Sequence, residues 1–325
     1  MPIALRRIAA LAACTLVFSS FGAGASDAYP SKPIRLVIGF GAGGITDVAG
    51  RLVAKALGEE LQQQVVVDNR PGAGSSIAAT AVAQAPADGY TLLLGTVGTQ
   101  VVNKMIYRKL SYDPSSLTPV SLVSNSPFVL AVSNSVQAGT LRELLSLTKA
   151  QPGKLNFGSA GNGSSPHLCL ELLKISSGID LVHVPFKSGA EAVNAVVSGQ
   201  VDVTCDAITV IDPQAKAGRL KMLAVAAGKR NTEIPNVPTG AEQGVAAFQV
   251  GSWNALLGPA GMPAETVQVL NRALAKVMDR PAVRQQLASM GIEVLPLGVQ
   301  AYATQLKAET EKWGKVIEAA GTKLD

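Results

Sequence analysis

From residue 34 onward the chain alternates short apolar runs with segments whose apolar residues recur at helical spacing, and glycine-rich loops join the two. Residues 34–38, 65–68 and 90–94 read as strands. Residues 47–63 carry Val48, Leu52, Val53, Ala56, Leu57 and Leu61 at helical spacing, and the small-residue stretch 74–85 reads as a second helix. Parallel strands need long crossovers, and a β-α-β-α-β order supplies them. The pattern therefore specifies a parallel sheet covered by helices, an α/β fold.

The pattern then resets. Residues 127–132, 155–157, 181–184, 201–205 and 220–226 read as strands, with helices at 141–150, 166–176 and 189–198. Pro166 suits the first turn of its helix, and Ser164 or Ser165 its cap. Past a loop rich in proline and glycine, residues 250–257 form a last strand. Helices at 264–278, 282–289 and 299–319 close the chain. The two β-α blocks share an organisation but no repeated sequence, which predicts two α/β lobes.

Composition narrows the function. Hydrophobic residues are 47% of the 325 and charged residues 16%, the balance of an ordered chain. Aromatics at 4% leave few platforms for stacking bases, and the +5 charge is spread without a basic run. Nucleic acid is therefore not an expected partner. Arg6 and Arg7, the apolar residues 8–21 and Ala23-Gly24-Ala25 have the form of an export signal cleaved near Ala25. The apolar run is too short to span a membrane. Leu11-Ala12-Ala13-Cys14 offers a rival reading as a lipid-anchoring box, weakened by the apolar residues that continue past it. Once the signal is removed, Cys169 and Cys205 remain and read as small buried thiols. With no CxxC and only His167 and His183, no metal site is expected.

Two strand-to-helix loops carry the chemistry. The first is Gly39-Phe40-Gly41-Ala42-Gly43-Gly44-Ile45-Thr46-Asp47, and the second runs from Gly158 through Ser164 to His167. A helix start presents unpaired N–H groups and partial positive charge, so it favours an anion. Glycines let the backbone approach that anion without a Cβ in the way. Gly39-x-Gly41-x-x-Gly44 also matches the dinucleotide fingerprint, with Asp68 where a ribose-binding acid belongs. An exported chain lacks a soluble nicotinamide pool, and Asp47 in the first helical turn opposes a pyrophosphate, so this match reads as a decoy. Gly95-Thr96-Val97-Gly98-Thr99 follows the third strand into the same crevice. His167 suits capping or anion contact at its helix start. Asp206 either receives a ligand amine or hydroxyl or caps the next turn. No G-x-S-x-G elbow occurs, and neither histidine has a triad partner in sequence. Trp253 and His183 read as core.

A set of short motifs then resembles one family. Tyr29-Pro30-Ser31-Lys32-Pro33-Ile34-Arg35, Gly43-Gly44-Ile45-Thr46-Asp47, Asp68-Asn69-Arg70-Pro71-Gly72-Ala73-Gly74 and Asp88-Gly89-Tyr90-Thr91-Leu92 belong to it. So do Tyr112-Asp113-Pro114, Gly161-x-Gly163-Ser164-x-x-His167-Leu168, His183-Val184-Pro185-Phe186-Lys187 and Gly199-Gln200-Val201-Asp202. Together they resemble the Bug family, the substrate receptors of tripartite tricarboxylate transporters, over essentially the whole mature chain. The resemblance implies a two-lobed, type II-like periplasmic binding protein: two β-sheets flanked by helices, with a ligand cleft that closes by hinge motion. It places a signal peptide at residues 1–25, lobe 1 at 26–125 plus 251–325, and lobe 2 at 126–250, with strands crossing near 124–128 and 248–252. Carried over by position, Phe40, Gly41, Ala42, Gly43, Thr46, Asp47, Thr96 and Thr99 bind ligand from lobe 1. Ser159, Asn162, Gly163, Ser164, His167 and Asp206 bind it from lobe 2. The implied protein is a periplasmic monomer, not an enzyme, without cofactor or metal. It delivers a small organic carboxylate to membrane transporter subunits. The alternatives are a sensor component serving a membrane kinase and an NAD(P)-dependent enzyme. This chain departs from the family pattern at Gly39, often proline, at Ser75, often glycine, and at Phe186-Lys187-Ser188 in place of tyrosine-lysine-glycine.

Overall fold

The computed structural model describes residues 29–320, so the expected export signal lies outside the described residues. Strand β1 (Ile34–Ile38) leads through helix α1 (Ile45–Leu61), β2 (Val65–Asn69) and α2 (Ser76–Ala83) to β3 (Thr91–Thr96). β1 pairs in parallel with both β2 and β3. A wide helical turn at residues 98–102 and α3 (Asn103–Ile106) precede the 16-residue β4 (Thr118–Ser133). The second block is α4 (Leu141–Ala150), β5 (Asn156–Ser159), α5 (Ser165–Ser177), β6 (Val182–Pro185), α6 (Gly189–Val197) and β7 (Val203–Ala207). Helix α7 (Ile208–Lys216) and β8 (Leu220–Val225) follow. The chain ends with β9 (Gly251–Gly258), α8 (Ala264–Asp279), α9 (Pro281–Ser289), β10 (Glu293–Gly298) and α10 (Val299–Ala320).

Hydrogen-bonded strands run in the order β2-β1-β3-β9-β4-β7-β5-β6, with β10 and β8 also on β4. β4 serves both lobes of this α/β fold. Its first part, through Pro127, pairs antiparallel with β9 and β10, whereas Phe128 onward pairs with β7 and β8. Pro127 has no N–H to give to a ladder, which suits the point where partners change. Beyond it, Phe128, Leu130 and Val132 enter one core with Phe157 and Cys205. Val129 and Ala131 enter another with Val193, Val196 and Ile211. Successive side chains point to opposite faces and both faces are covered, so the segment reads as an unbroken apolar run.

Four expectations need correction. The strand expected at 127–132 begins nine residues earlier, because Ser121, Ser124 and Ser126 look like a loop in sequence yet are buried on the sheet. The helix α7 was not expected; Pro213 lies inside it, and its fully buried residues are only Ile208 and Ile211. The edge strand β10 was hidden by Pro296 and by its irregular register with β4. Finally, Cys169 and Cys205 are disulfide-bonded, with Cα atoms 6.2 Å apart, rather than free thiols. Packing of α5 across β7 brings them together, and a separation of 36 residues in sequence carries no sign of that.

Candidate functional site

The loops that leave the carboxyl ends of β1, β3, β5 and β7 converge between the lobes. In the first loop, Asn69 at the end of β2 donates through Nδ2 to Phe40 O and to Asp47 Oδ1, both at 2.9 Å. Gly43 N–H and Arg51 Nε each donate to Asp47 Oδ2 at 3.0 Å. Burial by itself would raise the Asp47 pKa. Hydrogen bonds from Arg51, Gly43 and Asn69, with the Arg51 charge, outweigh it and hold the carboxylate below its usual range. Asp47 thus braces the loop from inside.

The lobe 2 loop is braced in a different way. Ser164 caps α5: its Oγ accepts from His167 N–H at 3.4 Å and donates to Gly161 O at 2.6 Å. Gly163 N–H donates to His167 Nδ1 at 3.2 Å. The His167 ring stacks on His183 at 4.2 Å, and His183 on Phe157 at 4.7 Å. His183 Nε2 lies 2.6 Å from Ser159 Oγ. Burial first, then neighbouring positive charge, pushes His167 down to about 3 and His183 down to about 4, so both rings are neutral.

Between these loops lies a cavity of about 20 Å³, room for about one water. Phe40, Gly44 and Thr46 line it from the first loop and the start of α1, Ala160 from the loop after β5, and Ser165 from the start of α5. Gly189, the first residue of α6, adds a third helix start. Its sequence signal is the capping box Ser188-Gly189-Ala190-Glu191, in which Ser188 Oγ accepts from Glu191 N–H at 3.2 Å. Asp206 closes one side and Ser252 of β9 another.

The strands beneath are polar where they meet. The register of β4 with β9 sets Ser126 opposite Ser252 and Ser124 opposite Asn254, and β3 sets Thr96 opposite Asn254. Thr96 Oγ1, Ser126 Oγ, Asn254 Nδ2 and Asp206 Oδ2 are buried with no hydrogen-bond partner among the described residues. An unpaired buried polar atom costs about 1–3 kcal/mol and is rare. Of these, Asp206 lines the cavity, and Thr96, Ser126 and Asn254 lie in the strands beside it. Among the described residues Asp206 accepts only Ala207 N–H, at 2.7 Å, and burial pushes its carboxyl up to about 7 against that bond.

Of the residues singled out by sequence, the structure brings Phe40, Thr46 and Asp206 to the cavity wall. Asn162 lines a wider groove of about 710 Å³ outside it. Gly41 N–H donates across the cleft to Lys187 O at 3.2 Å. Ala42 and Gly43 are exposed at the loop tip, and Thr96 lies in the polar strand floor. Thr99 Oγ1 is used within its own turn, accepting from Thr96 N–H and donating to Thr96 O. Asp47, Ser159, Gly163, Ser164 and His167 hold the loops in shape. Sequence reasoning missed Gly189, Ser126, Ser252 and Asn254. Only the first has a local signal; the other three are small polar residues placed by strand register.

A family model described as the tripartite tricarboxylate transporter family receptor matches residues 49–322. Protein BugT of Bordetella pertussis is 32% identical over 305 residues, 92% of this chain and 92% of that protein. Among solved structures, a protein of R. palustris with adipate is 35% identical with a TM-score of 0.87, covering 91% of this chain and 100% of that one. MatC from Rhodopseudomonas palustris with bound malate is 33% identical with a TM-score of 0.85, covering 89% and 100%. With its two-lobed α/β fold and the cleft described above, this chain belongs to the tripartite tricarboxylate transporter receptor family.

Proposed function

We propose that this chain is an exported, non-enzymatic receptor that encloses a small organic carboxylate between its lobes and presents it to the membrane subunits of a tripartite transporter. The observation that carries this reading is the convergence of three helix starts, α1, α5 and α6, on one cavity whose wall holds the unpartnered Asp206 Oδ2. Desolvating a carboxylate is costly unless donors replace its water, and helix N–H groups with hydroxyls and an amide do so. Arg51 is committed to Asp47, so neutral donors dominate, with bridging water adapting them to the acid. The adipate and malate complexes of the relatives support the same ligand class. The dinucleotide match is disfavoured by geometry: Gly43 N–H is given to Asp47, and Asp68 accepts from Arg70 at 2.9 Å.

The finer parts of the reading are a mature monomer in the periplasm, starting near Ala25, with lobe 1 at 26–125 plus 251–325 and lobe 2 at 126–250. The change of strand partners at Pro127 and the start of β9 at Gly251 support that division. Calorimetry of the mature protein against malate, adipate, monocarboxylates and NAD(H) tests the function. At least one carboxylate is expected to bind and to raise the melting temperature, with no effect of NAD(H). Stabilisation by NAD(H) and by none of the acids would overturn the proposal.

A further inference from the structure

Ser75 has an unusual placement beside the cleft. It is 1% exposed, and its Oγ has no hydrogen-bond partner among the described residues. Its backbone lies at φ +72°, the left-handed region, fixed by Ser75 N–H donating to Gly72 O at 2.9 Å. Its hydroxyl occupies the space that a Cβ on Gly39 would need, so any larger residue at 39 would collide with it. A left-handed backbone at a non-glycine residue and an orphaned buried hydroxyl each cost stability. A serine has too little apolar surface to offset either by packing. Backbone strain of this kind gathers at ligand sites.

The surroundings say what the hydroxyl serves. Gly39 and Ser75 line the outer groove, and Ala160 lines both that groove and the inner cavity, so the two spaces adjoin. Tyr107 lines the groove from lobe 1, and burial raises its phenol above the ordinary range, leaving an O–H donor there. Asn162 and Lys187 line it from lobe 2. The acid at the groove, Glu191, is already engaged, accepting Lys187 N–H at 3.2 Å. Hydroxyls, an amide and an ammonium against one occupied carboxylate make a set of donors suited to a second anionic group.

We propose that Ser75 is a specificity-determining residue whose hydroxyl donates to the distal carboxylate of an elongated dicarboxylate, the proximal carboxylate lying at the helix starts of the inner cavity. This rests on the receptor reading above. The test is calorimetry with adipate and hexanoate, acids of matched chain length, on the native protein, Ser75→Ala and Ser75→Gly. The native protein is expected to prefer adipate by tenfold or more. Both variants should lower that preference about fivefold to tenfold with hexanoate affinity unchanged, and circular dichroism should show both folded. Glycine suits the left-handed backbone, so Ser75→Gly carries the test if Ser75→Ala unfolds. An adipate preference that is absent from the native protein or unaltered in the folded variants overturns the role of Ser75 alone. Failure of every acid to bind the native protein overturns the receptor reading and this proposal with it.

Discussion

Asp206, next to last in β7, has one oxygen held by Ala207 N–H and the other beside Gly189 at the cavity, where a Cβ on Gly189 would collide with it. Burial raises its carboxyl from 3.8 to about 7. Between those values the folded chain keeps a proton that the unfolded chain has lost. Its contribution to stability is therefore greatest below the unfolded value and is lost as pH rises through 7. Asp206→Asn cannot ionise, so its stability relative to the native protein should grow by up to about 4 kcal/mol between about pH 4 and about pH 8. His167 and His183 titrate alike in both proteins and cancel. Urea unfolding at the two pH values checks this, and a constant difference would count against a buried, proton-binding Asp206.

At the scale of elements, the site is a meeting of helix starts, two of which are held by serine caps. Ser164 caps α5 and Ser188 caps α6, each worth about 1 kcal/mol to its helix. The disulfide adds a longer-range tie: Cys169 lies in α5 just past the binding loop, and Cys205 adjoins Asp206 in β7. It therefore locks the anion-facing end of α5 to the strand that carries the buried acid. Closing a loop of 36 residues is worth about 4 kcal/mol by chain entropy. Reduction with dithiothreitol should lower the melting temperature by several degrees, with two thiols appearing on titration. Two titrated thiols with an unchanged melting curve would show that the tie contributes little.

The whole molecule turns on how closely the lobes approach. Gly98, after β3, faces Gly163 in the other lobe: a Cβ there would come within 2.6 Å of Gly163 O. The nearest side-chain atom in its own lobe, Thr96 Oγ1, would be an ordinary 3.5 Å away. Gly98→Ala should thus leave each lobe folded and obstruct only their approach. Carboxylate affinity should fall tenfold or more, about 1.4 kcal/mol or above. Small-angle scattering at saturating ligand should retain the radius of gyration of the ligand-free protein. Compaction and affinity equal to the native protein would mean that the lobes do not need this contact.

Much of this was legible along the chain. The period-2 and period-3.6 apolar patterns located β1 to β3, α4 to α6 and the three helices near the end. Glycine, proline and serine marked the loops at Gly39 and Ser164, because caps and turns depend on neighbours a few residues away. Membership of the receptor family was readable from motifs spread over the whole length. What needed the tertiary structure was every feature that joins distant segments or sets the direction of a side chain. The polar half of β4 is a strand only because β9 and β10 pair with it. Cys169 meets Cys205 only because α5 crosses β7. Asp47 turns inward to Gly43, Arg51 and Asn69, and His167 joins the ring stack, although local spacing allows either to face a ligand. The sequence alone determined most of the elements, their order and the family, since hydrophobic periodicity and capping act locally. Which polar groups face the cleft was decided by strand register and helix packing between segments more than a hundred residues apart, and local spacing holds no record of those contacts.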